Sequence, residues 1–151
     1  MFDGQNEMAL DQAKKTFDLD PNFISGRFWL AYALCANKKY GETIDLVNGA
    51  AKDQTTQRLL SRFLGYAYAK SGRQSEAESI LAAFKSDVAF TGFSEAIIYA
   101  ALGDKDKAFA ALEAEFIGKG DFSRIKIDPL AADLRDDPRF ADLVRRMSLP
   151  Q

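Results

Sequence analysis

A single spacing organises this chain. Leu64-Gly65-x2-Tyr68 followed by Ala77-x3-Leu81 recurs one period earlier as Leu30-Ala31-x2-Leu34 followed by Thr43-x3-Val47. The period is about 34 residues. One more period back from Thr43 stand Ala9 and, a helical turn further on, Ala13. Forward of Ala77 the matching alanine is Ala108, slightly short of a full period, preceded by Glu95-Ala96-x2-Tyr99 and followed by Leu112. The third unit is therefore shortened, near Ser86-Asp87. A repeat of this period means stacked supersecondary units, each burying its apolar face only against its neighbours.

Within a unit the period is helical. Leu64, Ala67 and Tyr68 share one face at i, i+3 and i+4, and Ala77, Ile80, Leu81 and Phe84 do the same in the next segment. Ala31, Gly65, Ala77 and Ala96 are small enough for helices to cross closely. Ser71-Gly72-Arg73 and Leu102-Gly103-Asp104 read as helix stops with a left-handed glycine. The pattern predicts helix pairs at 24–37 with 40–52, 56–70 with 73–85, and 89–102 with 105–117. Gly4 stands in the slot of Gly72 and Gly103, so residues 5–19 are expected as a second helix without its first. Met8, Leu10, Ala13 and Phe17 would then lack one packing neighbour, at roughly 1.5–3 kcal/mol for each side chain exposed. Two explanations fit: the chain is cut from a longer repeat protein, which the surviving glycine favours, or the bare face packs on another copy.

Ser61-x2-Leu64-Gly65-x2-Tyr68…Ala77-x3-Leu81 resembles the tetratricopeptide repeat, W-x2-L-G-x2-Y…A-x3-F, with Ser61 in the Trp slot and Leu81 in the Phe slot. Pro21, in Leu19-Asp20-Pro21-Asn22, falls in the closing proline slot. The resemblance implies an all-α, right-handed α-α superhelix of antiparallel helix pairs. A single domain over 1–151 would comprise a half repeat 1–22, repeats 23–55, 56–88 and 89–118, and a C-terminal cap 119–151. The repeat stops after Gly118-Lys119-Gly120. Pro129 and Pro138 each follow an Asp suited to N-capping, so two short helices are expected, with Phe140, Leu143, Val144 and Met147 forming a covering stripe. The tail is similar to the endings of bacterial signalling and regulatory proteins, which implies the C-terminal part of a longer chain.

Catalysis finds no foothold. The sequence has no histidine, the commonest general base and metal ligand, and a single cysteine, Cys35, inside the apolar run Leu34-Cys35-Ala36. Asp133, Asp136, Asp137 and Asp142 lack calcium-loop spacing and read as solvated helix caps, and Gly118-Lys119-Gly120 is a turn without the phosphate-loop pattern. No enzyme activity, metal or cofactor is expected. A net charge of −2, with Arg135, Arg139, Arg145 and Arg146 interleaved with Asp, argues against nucleic acid. No apolar run approaches the ~20 residues of a membrane span. The N-terminus lacks a secretory layout, so a cytoplasmic location is expected, or a periplasmic one in a membrane-anchored parent.

In the family the first helix of each pair lines a concave groove that receives partner segments. The resemblance carries that groove onto Ser25, Phe28, Tyr32 and Cys35, then Leu59, Arg62, Tyr66 and Lys70, then Phe90, Phe93, Ile97 and Ala101. Phe28, Tyr32, Arg62, Tyr66, Lys70, Phe93 and Ile97 are the candidate partner-binding residues. Phe28 and Tyr32 replace the Lys and Asn of the chaperone-binding carboxylate clamp, so an apolar or amphipathic segment is expected, with Arg62 and Lys70 holding an acidic neighbour. Trp29, Phe63 and one of Phe28 or Tyr32 are expected to pack between repeats. The alternatives are a groove filled by the protein's own segments, leaving a rigid spacer, and a self-association element forming a homodimer through the first helix or the groove.

Overall fold

A computed structural model describes residues 3–50, 54–86, 92–118 and 125–147. Among these residues all regular structure is helical: α1 (Asp3–Leu19), α2 (Ile24–Ala36), α3 (Tyr40–Gly49), α4 (Gln54–Lys70), α5 (Gln74–Phe84), α6 (Gly92–Ala101) and α7 (Lys105–Ile117). A 3-10 helix, Pro129–Leu134, and α8 (Pro138–Met147) follow. The expected start of α6 near residue 89, the shortened entry loop at Asp87 and the turn at Lys119-Gly120 lie outside the described residues.

The turns after α2, α4 and α6 are built alike. In each, the second amide beyond the helix cap donates back into the last helical turn: Lys39 to Leu34 O, Arg73 to Tyr68 O and Asp104 to Tyr99 O, all at 2.9 Å. The amide before it donates to the next carbonyl: Lys38 to Cys35, Gly72 to Ala69 and Gly103 to Ala100. This paired closure requires a left-handed residue in the middle. Lys38 (φ 59°), Gly72 (φ 75°) and Gly103 (φ 86°) supply it, at the spacings of the sequence repeat. Beyond each turn the same position is fully buried, as Thr43, Ala77 or Ala108. Lys38 is the residue with a Cβ in this conformation, which costs about 1 kcal/mol. Lys38→Gly should therefore raise stability by about that amount, and Gly72→Ala and Gly103→Ala should lower it similarly, as read by chemical denaturation.

The chain forms two compact units, Met1–Ile80 and Leu81–Gln151, with the boundary inside α5. In the first, α1 packs on α2, α2 on α3 and α4, and α3 on α4. Leu10 is buried with Leu30, Ala33 and Leu34, and Ala13, Phe17 and Leu46 pack around them. Asn37 Nδ2 donates to Asn6 O at 2.8 Å, and Lys14 pairs with Glu42 across to α3. Gly4 lies in the first turn of α1 rather than in an inter-helix turn. Of the four residues expected to want a neighbour, Met8 is 73% exposed, whereas Leu10, Ala13 and Phe17 find cover on α2. Ala9 is also exposed, although its repeat equivalents Thr43, Ala77 and Ala108 are fully buried.

In the second unit α6 and α7 form a hairpin whose core, with Ala96, Ala108 and Leu112, is completed by Ile125, Ala131, Leu134, Phe140 and Leu143. The 3-10 helix and α8 begin at Pro129 and Pro138 as expected. Asp128 accepts from Leu130 N at 2.9 Å and Asp137 from Arg139 N at 3.0 Å. The apolar stripe of α8 covers this core. Its polar flank is held to α7 by two equivalent clamps, two helical turns apart. Arg139 pairs with Asp106 at 2.8 Å and lies 4.5 Å from the Phe109 ring, and Arg146 pairs with Glu113 and lies 5.1 Å from the Phe116 ring. Hydrogen bonds from Arg139 hold the Asp137 carboxyl down to about 2. Both arginines are engaged in internal ion pairs.

Candidate functional site

The candidate site starts from what the α2–α4 contact must bury. Phe63 on α4 is fully buried, and Phe28 and Tyr32 from α2 meet its ring edge-to-face at centroid distances of 5.0 and 6.2 Å. Edge-to-face geometry places the positive edge of one ring against the negative face of another. Arg62, one residue before Phe63, lays its guanidinium 5.0 Å from the Phe28 centroid and 4.8 Å from that of Phe63. A cation over two ring faces is stabilised by both quadrupoles. Phe28, Tyr32 and Arg62 thus form one half-buried group around a buried ring.

Trp29 completes the group on the outside. Its ring meets Phe28 edge-on at 5.4 Å and Tyr32 at 5.9 Å, and the residue is 46% exposed. The expectation that Trp29 packs between repeats is corrected: Phe63, one repeat later in the same register, is the buried ring. The difference follows from what α2 places over each. Phe63 is covered by Phe28 and Tyr32, whereas these same two rings are the edge-on neighbours of Trp29 on its own helix. Phe23, Ile24 and Leu59 are also exposed, so large apolar side chains reach the surface along α2 and at the N-terminal half of α4.

The other expected groove residues separate. Tyr66 is 4% exposed, with Tyr40 edge-on at 6.1 Å, and Lys70 Nζ stands 5.9 Å from its ring. Ile97 is 1% exposed. Neither Tyr66 nor Ile97 offers a partner its surface. Phe93 is half-buried against the α6–α7 core and belongs to the second unit. Ser25 is exposed, Cys35 is buried, and Phe90 lies outside the described residues. Trp29 was missed because helical periodicity alone does not tell which of two adjacent rings a neighbouring helix will cover.

Cys35 Sγ lies 3.6 Å from Thr43 Oγ1 and 3.8 Å from the Phe63 carbonyl oxygen. Burial pushes its thiol up to about 12. Because the thiolate is the reacting species, the native chain should resist iodoacetamide at pH 8 and label fully in denaturant, measured by mass spectrometry. Labelling at the free-thiol rate under native conditions would contradict the packing.

Among the described residues no group of three or more His, Cys, Asp or Glu could hold a metal ion, and no helix is long and apolar enough to cross a membrane. No protein-family model, curated protein or solved structure matches the chain.

Proposed function

We propose that the chain is a tetratricopeptide-type repeat module that binds a segment of a partner protein at the exposed aromatic side of α2 that carries Trp29, as part of a longer regulatory protein. Its helix pairs would stack as a right-handed superhelix closed by the C-terminal helices. The observation that carries the binding role is the exposed Trp29, supported from below by Phe28, Tyr32 and the buried Phe63. A large ring held rigid at a surface is a low-entropy anchor for a partner. The three identical turns at the repeat spacing support the repeat class. The module acts by binding rather than catalysis, since the chain has no histidine and buries its lone thiol.

Trp29 is the single tryptophan of the chain, so its emission reports on the site directly. The test selects ligands for the full chain from a phage-displayed library of random peptides and measures their affinity for wild type and Trp29→Ala. Selected peptides should blue-shift Trp29 emission, protect it from acrylamide, and bind the variant about tenfold or more weakly. Tyr66 is unsuitable for such a control, because removing a buried ring damages the fold. Peptides that bind both proteins equally and leave the emission unchanged would overturn the proposal, as would a library that yields no binder.

A further inference from the structure

Of the four asparagines in the chain, one precedes a glycine: Asn48-Gly49, in the last turn of α3. An asparagine loses its side-chain amide when the next backbone nitrogen attacks its Cγ. The attack needs a following residue whose Cβ is not in the way, a side-chain amide that nothing holds, and a backbone able to leave the helix. A helical ψ of about −42° keeps that nitrogen away from Cγ, so the ring closes only where a helix end frays.

Asn48 meets all three conditions. Both residues are exposed, and the Asn48 side chain makes no hydrogen bond among the described residues. Gly49 has no Cβ, and one built there would meet nothing within 4 Å, so no neighbour holds the turn in place. Gly49 also carries the weakest helix propensity after proline. The Ala50 amide reaches back only to Val47 O, at 3.1 Å, and Ala50 (φ −84°) does not make the left-handed closure that ends α2, α4 and α6.

The other three asparagines fail. Asn6 lies inside α1 and is followed by Glu7. Asn22 is followed by Phe23, whose amide already donates to Asp20 O at 3.1 Å. Asn37 Nδ2 donates to Asn6 O and Ala33 O, both at 2.8 Å, and the following amide, of Lys38, donates to Cys35 O.

We infer that Asn48-Gly49 is a self-modification site, at which the frayed end of α3 converts asparagine to aspartate and isoaspartate in the folded chain. The Gly49 nitrogen bonds to Asn48 Cγ, the Cγ–Nδ2 bond breaks, and ammonia leaves with the Gly49 amide proton. Water then opens the cyclic imide at either carbonyl and leaves one carboxylate where an amide stood. The step goes one way. The new charge sits at the negative end of a helix that already carries Glu42 and Asp45, and three residues from Asp45. In isoaspartate the main chain gains a methylene, so the last turn cannot re-form as helix.

The test warms the full chain in mildly alkaline buffer and follows each asparagine by peptide mass mapping. Isoaspartate is counted by transfer of labelled methyl groups with an isoaspartyl methyltransferase. Asn48 should react at least about tenfold faster than Asn6, Asn22 or Asn37, and Gly49→Ala, which has room for its methyl, should slow it by about tenfold or more. The modified chain, separated by ion exchange, should unfold at lower urea than the unmodified one. Modification of Asn48 in urea but not in the native chain would overturn the inference, since the turn would then be closed to the reaction. Earlier modification of another asparagine would overturn it as well. An unchanged rate in Gly49→Ala would replace attack by the Gly49 nitrogen with direct hydrolysis, and equal urea midpoints would overturn the opening of the turn.

Discussion

Replacing Gly92 by alanine should cost the second unit about 2–3 kcal/mol, although it adds only one methyl group at the start of a helix. The added Cβ would overlap the carbonyl oxygen of Ala111 and come within 3.0 Å of that residue's carbonyl carbon and of Glu115 Cβ. The obstacle is helix backbone, held by the hydrogen bonds of α7, so it cannot swing aside as a flexible side chain would. α6 would have to lift away instead, loosening the hydrogen bond from the Phe93 amide to the Glu115 carboxylate. Gly41→Ala is the control. That glycine lies in α3 with no atom within 4 Å of the added methyl, so alanine there should stabilise by about 0.5–1 kcal/mol. Urea denaturation of the two variants should give opposite signs. Equal, small effects would show that α6 does not approach α7 through Gly92.

Phe63→Ala should be the most damaging single truncation in the first unit, with a loss of about 3–5 kcal/mol. The ring is fully buried and supports Phe28, Tyr32 and Arg62 at once. Its removal leaves a cavity lined by groups that cannot close on it without giving up their own contacts. Since a domain of this size is stable by only about 5–15 kcal/mol, the variant should lose a large fraction of its folding free energy. Trp29→Ala removes a larger ring from the same cluster, yet should cost no more than about 1 kcal/mol, because nearly half of that residue already faces solvent. The contrast in denaturation midpoints tests the assignment of one ring to the core and the other to the surface. If the two substitutions destabilised equally, Trp29 would be a core residue and the binding face would lose its anchor.

Much of the architecture is legible without coordinates. The helix ends at residues 24, 70, 105 and 117 follow from periodicity and turn chemistry, and the Asp-Pro starts of the two C-terminal helices follow from capping. The turn after α2 shows the limit of residue-by-residue reasoning. Lys38 carries no local sign of a left-handed conformation and is recognisable only because it stands one repeat before Gly72. Gly4 shows the converse, since a glycine in the same register lies inside a helix. Glycine permits the left-handed turn but does not compel it.

The candidate site divides along a physical line. The amino-acid sequence by itself determined the helical class, the period, the recurring turns, the capped C-terminal helices and the absence of histidine chemistry, because each depends on residues close to one another in the chain, on the spacing of like residues or on composition. It also placed Phe28, Tyr32 and Arg62 on helix faces that meet. Only the tertiary structure decided that Phe63 is sealed while Trp29 is exposed, and that Tyr66 and Ile97 are buried rather than presented. Helical periodicity gives a side chain's direction around its own axis. Whether another helix arrives on that side depends on contacts between residues distant in the chain, and those contacts decide which rings become core and which remain surface.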